Sequence, residues 1–292
     1  MWLLCGFMSA ALLGLYDVAK KASLRDNAVI PVLFLNTLFC SLIFLPVLWT
    51  VPSGGWAVQR YIVLKGFIVL SSWLCAYFGM KHLPLTIVGP INATRPVMVL
   101  LGAILIFGER LNALQWVGVL LSVVSFFLLS RSGRKENIYF GHNRWVFLVV
   151  MGAVLGAISG LYDKFLLAPS EDGGLGLDRL AVQGYYNFYQ CLTMGVMLMV
   201  LWWPVRQKHT PFRWHWGIPL ISVFLSMADF VYFYGLSLDG VMVSVVSLAR
   251  RSSVVVSFLV AALLFKEKNL KSKVVDLALV LLGMLFLYLG TL

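Results

Sequence analysis

The chain has 292 residues, of which 61% are hydrophobic and only 12% charged, with a formal net charge of +11. A soluble domain carries about 25% charge, and the mean hydropathy of +0.90 agrees that lipid surrounds most of this chain. The excess of Lys and Arg does not point to nucleic acid, because most of it lies in short loops between apolar runs, the pattern of topology signals.

A membrane span takes about 20 predominantly apolar residues. Ten such segments follow in chain order: 2–21, 28–50, 61–82, 85–107, 112–130, 144–167, 181–204, 216–238, 241–265 and 273–291. The first has no basic leader or small-residue cleavage site and reads as a true span rather than a signal peptide. The longest connections are 131–143 and 168–180, and the former is the natural joint between a first half, 1–130, and a second, 144–292. Cys5, Cys40, Cys75 and Cys191 all fall in apolar segments with no CxxC spacing, as small buried hydrophobes do. No cofactor or metal is expected, since the chain has no P-loop, no HExxH and no GxSxG with partners.

The halves repeat. Gly6, Ala10, Gly14 and Asp17 of span 1 recur as Gly152, Gly156, Gly160 and Asp163 of span 6, each shifted by 146 positions, half the chain. Asn36 and Cys40 match Asn187 and Cys191; Phe78-Gly79 matches Tyr234-Gly235; Arg95 matches Arg251; Phe107 and Glu109 match Phe265 and Glu267. An odd number of spans per half inverts the second copy. The expected fold is an all-α integral membrane protein of ten transmembrane helices, a 5+5 inverted repeat around a central cavity. The glycine ridges let helix backbones approach closely, a packing role first and a sliding surface second. Pro90 and Pro96 are expected to break span 4 near Arg95. Loops on one side hold 15 Lys and Arg against 5 on the other, a bias toward both termini outside the cytoplasm that one span more or fewer would reverse, so the orientation stays open.

Charge at mid-bilayer is costly and faces a cavity or a partner. Arg95 lies midway along span 4, Arg250 and Arg251 midway along span 9, and Asp229 midway along span 8. Two guanidiniums meeting across the repeat axis suit a carboxylate or phosphate; the alternative is that they pair with Asp229, Asp17 or Asp163 to hold helices together. Asp229 has no acidic counterpart, since Trp73 stands at the matching place, so it either neutralises an arginine or carries a proton. Asp17 and Asp163, nearer the span ends, are weaker candidates for ion coupling. Asn36 and Asn187 either bond substrate or tie helices. Glu109 and Glu267 read as helix-terminus ion pairs.

Phe107-Gly108-Glu109-Arg110-Leu111, followed by Gln115-Trp116-Val117-Gly118, is similar to the junction of spans 4 and 5 in the drug/metabolite transporter superfamily. Phe265-Lys266-Glu267-Lys268 is a looser second copy lacking the glycine. With ten spans in two halves, the whole chain resembles the EamA-type permeases. The resemblance implies a secondary carrier with a central cavity, exporting or exchanging a small anionic or zwitterionic metabolite. It also implies that Arg250 and Arg251 hold the anion, as late-helix basic residues do in phosphate-exchanging relatives. Partners would be a small-molecule substrate and the lipid bilayer, with no nucleic acid, in a monomer or homodimer of a bacterial cell membrane. A flippase for a lipid-linked sugar and an intramembrane enzyme are the alternatives.

Overall fold

The computed structural model describes residues 2–51, 54–107, 111–167, 173–206, 212–236, 249–250, 252–265, 267 and 270–290. Among these there are helices and no strand. The helices are α1 (Trp2–Leu24), α2 (Val29–Thr50), α3 (Gly55–His82), α4 (Leu85–Ala93), α5 (Arg95–Phe107), α6 (Ala113–Arg134), α7 (Arg144–Leu167), α8 (Arg179–Met197), α9 (Gly217–Leu236), α10 (Ser253–Leu264) and α11 (Leu270–Leu289). A π turn, Leu198–Trp202, and a 3-10 turn, Trp203–Val205, prolong α8.

Each of the ten expected spans coincides with helix among the described residues. Among the described residues, six helices are long and apolar enough to cross a membrane: α2, α3, α6, α7, α8 with its two closing turns, and α11. The fourth span falls short because it is broken into α4 and α5 at Thr94. Pro96 cannot donate to the Asn92 carbonyl, so the ladder stops there. Thr94 folds back instead, its N–H bonding to the Ile91 carbonyl at 3.2 Å and its hydroxyl at 2.7 Å. The expected proline break thus falls immediately before Arg95.

Local chemistry sets other ends. Asn112 and Gln115 form a capping box at the start of α6, with Gln115 N–H bonding to Asn112 Oδ1 at 2.9 Å and Asn112 N–H to Gln115 Oε1 at 3.0 Å. Asp178 caps α8 by accepting Ala181 N–H at 2.8 Å. Large apolar side chains such as Trp49, Trp56, Trp216 and Leu263 are exposed on the outer surface, which suits lipid rather than water.

In the interior α1 packs on α9 and α10, α7 on α3 and α5, α2 on α8 and α9, α3 on α8, α4 on α10 and α6 on α11. Hydroxyls tie the closest pairs. Ser9 donates to the Ala228 carbonyl at 2.8 Å, joining α1 to α9, and Ser72 to the Gly152 carbonyl at 2.7 Å, joining α3 to α7. The glycine ridges carry these approaches: a β-carbon on Gly14 would lie 2.5 Å from Val256 Cβ of α10, and one on Gly152 3.0 Å from the Ser72 carbonyl.

Candidate functional site

A cavity of about 360 Å³ opens between α1, α3, the α4–α5 break, α9 and the residues leading into α10. Leu13, Tyr16, Asp17 and Lys20 line it from α1, at the i, i+3, i+4, i+7 spacing of one helix face. Trp73, Ala76 and Tyr77 of α3 do the same opposite. Asn92, Ala93 and Arg95 come from the break, and Tyr232, Arg250, Ser253 and Val254 complete the wall.

Three cations, Lys20, Arg95 and Arg250, and one carboxylate, Asp17, face this space. Lys20 Nζ bonds to Asp17 Oδ1 at 2.9 Å and stands 4.2 Å over the Tyr16 ring and 5.2 Å from that of Tyr77. Arg250 pairs with Asp229, whose second oxygen accepts from Gln183 Nε2 at 3.3 Å. The Arg250 guanidinium also lies 4.4 Å over the Tyr232 ring. Arg95 differs from both. Its Nη2 reaches Asn92 Oδ1 at 3.2 Å, and its Nε–H is buried with no hydrogen-bond partner among the described residues. A guanidinium has five N–H donors, and a buried donor left unmade costs about 1–3 kcal/mol. Donors of this kind at a cavity wall suit an incoming carboxylate or phosphate.

The remaining sequence candidates lie elsewhere. Arg251 and Glu109 are outside the described residues. Asn36 and Asn187 are buried in α2 and α8 and do not contribute to the cavity wall. The Asn36 side-chain oxygen accepts from Ser222 Oγ of α9 at 2.9 Å. Asp163 pairs with Lys65 of α3, and Lys65 also donates to Ser159 Oγ at 2.8 Å. Asp17 and Asp163 are therefore each held by their own lysine, and no acidic dyad forms between them. Glu267 accepts the N–H groups of Leu85 and Thr86 at 2.7 and 3.0 Å, with the Thr86 hydroxyl as a third donor. It caps α4, while Lys266 and Lys268, the basic neighbours expected to pair with it, lie outside the described residues. Gly14 of the first ridge faces α10, and the Gly152/Gly156/Gly160 ridge faces α3, Arg95 and Val99.

Beyond Lys20 and Tyr77, toward the ends of α1 and α3, the bundle is solid. Leu24, Met80, Leu83, Leu85 and Ile87 are all at most 2% exposed. A polar layer closes that end. Lys21 Nζ donates to the Met80 and Leu83 carbonyls at 2.6 Å each, and Lys273 bridges Thr86 Oγ1 at 2.9 Å and Glu136 at 2.7 Å. Sequence reasoning counted Lys20, Lys65 and Lys273 as loop cations; all three are buried. The available signal was a lysine one turn from an aspartate inside an apolar run, as in Asp17 and Lys20.

A multi-pass helical membrane protein with a cation-lined cavity between its helices is the class these features define. Residues 1–131 match the model of the EamA-like transporter family, so the resemblance read from the span 4–5 junction is borne out over the first half. A 153-residue stretch is 28% identical to an uncharacterized transporter of Archaeoglobus fulgidus, covering 51% of this chain and 53% of that one. An 83-residue stretch is 34% identical to an uncharacterized transporter of Pseudomonas aeruginosa, covering 27% and 26%. The chain thus spans about half the length of the first relative and about a quarter of the second. A protein of known crystal structure shares the fold, with a TM-score of 0.62 at 15% identity over 98% of this chain and 95% of that one.

Proposed function

We propose that the chain is a secondary transporter that moves a small anionic or zwitterionic metabolite across the cell membrane by alternating access between two inverted halves, 1–130 and 144–292. Export or exchange is the direction the family resemblance favours. The packing pattern supports the inverted repeat. If α1, α2, α3, α4–α5 and α6 exchange with α7, α8, α9, α10 and α11, the α1–α9 contact becomes α7–α3. The α1–α10 contact likewise becomes α7–α5, and α2–α9 becomes α8–α3. The α2–α8, α4–α10 and α6–α11 contacts map onto themselves.

The observation that carries the substrate class is Arg95, a cavity cation with a buried, unbonded Nε–H and no carboxylate partner among the described residues. The names of the relatives support transport over catalysis. The test is counterflow by the purified chain in liposomes, with pooled radiolabelled amino acids and phosphorylated metabolites. At least one anionic or zwitterionic compound is expected to exchange, and Arg95→Gln to abolish that exchange in a folded protein. Absence of flux for every compound, or wild-type flux in Arg95→Gln, would overturn the reading.

A further inference from the structure

Gly156 stands in the middle of the second glycine ridge, and its neighbour is not a helix backbone. A β-carbon there would lie 3.0 Å from Arg95 Cζ, 3.1 Å from Nη1 and 3.2 Å from Nε. The guanidinium therefore lies against the bare α-carbon of Gly156. The flanking glycines differ. A β-carbon on Gly152 would meet the Ser72 carbonyl and the Ala76 N–H of α3 at 3.0 and 3.1 Å, whereas one on Gly160 would meet only Val99 Cγ2 at 3.8 Å. One ridge thus holds a helix crossing, a recess for a side-chain head and an open site.

We propose that Gly156 is a positioning residue. Its missing side chain forms the seat that holds the Arg95 guanidinium against α7 and aims it into the cavity. Three observations converge on this. The head of Arg95 fills the recess at close range, its Nε–H is buried without a partner beside it, and Asn92 holds Nη2 from the other side. The matching position of the first repeat is Ala10, which carries the methyl group that Gly156 lacks. The inference rests on the reading of Arg95 as the anion-binding group and adds the residue that orients it.

An alanine at 156 displaces the guanidinium rather than the backbone, because the crowded atoms are the far end of a flexible side chain beside an open cavity. The helices keep their crossing, and the fork loses its alignment with an incoming carboxylate. Losing one of two parallel charge-assisted bonds weakens binding on the order of ten-fold.

The test uses the full chain in nanodiscs. Phenylglyoxal, which modifies guanidinium groups, reports Arg95 by peptide mass mapping, with sodium acetate and inorganic phosphate as protecting anions. Gly156→Ala is expected to be folded and to label several-fold faster at Arg95 with Arg250 unchanged. It should also need about ten-fold more of the protecting anion. A folded Gly156→Ala with labelling and protection within about two-fold of wild type would overturn the seat. Should Gly156→Ala fail to fold, the double variant Gly156→Ala/Arg95→Gln decides. Recovery of folding identifies Arg95 as the group that clashes and supports the seat, while failure in both makes Gly156 a helix-packing glycine and overturns it. If neither anion protects Arg95 in the wild type, the anion-binding reading fails, and the labelling rates still judge the seat.

Discussion

Glu267 and Leu85, 182 positions apart in sequence, meet where the carboxylate of one accepts the backbone N–H of the other at 2.7 Å. The neighbouring N–H of Thr86 joins at 3.0 Å, so a second-half carboxylate neutralises the positive end of a first-half helix. Removing such a cap costs about 0.5–2 kcal/mol. Glu267→Ala is expected to lower stability within that range, and Glu267→Gln, which keeps one acceptor, to lower it less. Thermal unfolding of the two variants in micelles gives the order. Equal losses would show that the cap is not the contribution of Glu267.

The Lys65–Asp163 pair makes an asymmetric prediction. The Lys65 side chain is 5% exposed and that of Asp163 is 40% exposed. Removing the carboxylate strands a buried ammonium, whereas removing the lysine leaves a carboxylate that water still reaches. Asp163→Asn is therefore expected to destabilise by about 3 kcal/mol and Lys65→Met by clearly less. Denaturant unfolding of both variants reads the difference, and the reverse order would refute the burial argument.

Asp229 and Arg250 couple directly, so their replacements should not add. Asp229→Ala alone leaves Arg250 without its carboxylate and is expected to cost about 3 kcal/mol, while Asp229→Ala/Arg250→Ala should recover part of it. A second replacement at the same position addresses proton coupling. If Asp229 carries the proton, Asp229→Asn abolishes pH-driven flux in liposomes and spares substrate exchange. Loss of both, or of neither, removes that role.

The glycine ridge of α7 is expected to respond position by position. Gly152→Ala should cost about 1–3 kcal/mol by pushing α7 off α3, and Gly160→Ala should stay within about 0.5 kcal/mol. Melting temperatures in one detergent suffice to compare them. A Gly160→Ala loss as large as that of Gly152→Ala would mean the ridge acts as a single surface.

How much the sequence disclosed follows from how membrane solvation works. The helices were legible because lipid forces every backbone bond inside its own segment, so each long apolar run shows its own length. Pro96 gave the break beside Arg95 because proline removes a donor whatever surrounds it, whereas Pro90, expected to break the span as well, sits inside α4 without ending it. Arg95, Arg250 and Asp17, which line the cavity, stood out in the sequence because charge in an apolar run is conspicuous. Lys20 and Lys65 were missed because a charge near the end of a run looks the same whether it faces water or a partner, and only the packing of α1 on Tyr77 or of α3 on Asp163 decides. The role of Glu267 was illegible for a different reason. Its donors are backbone N–H groups of Leu85 and Thr86, which leave no mark on residue type.

The interruption at Thr94 gives the fourth span two allegiances. On one side of it, α4 packs on α10, α11 and α7 and is pinned by Glu267; on the other, α5 packs chiefly on α7. If the proposed alternating access tilts α7 against α10, the two pieces of the span are drawn apart, and the joint between them lies next to the arginine facing the cavity. On that proposal, loading the arginine and bending the joint would be one mechanical event.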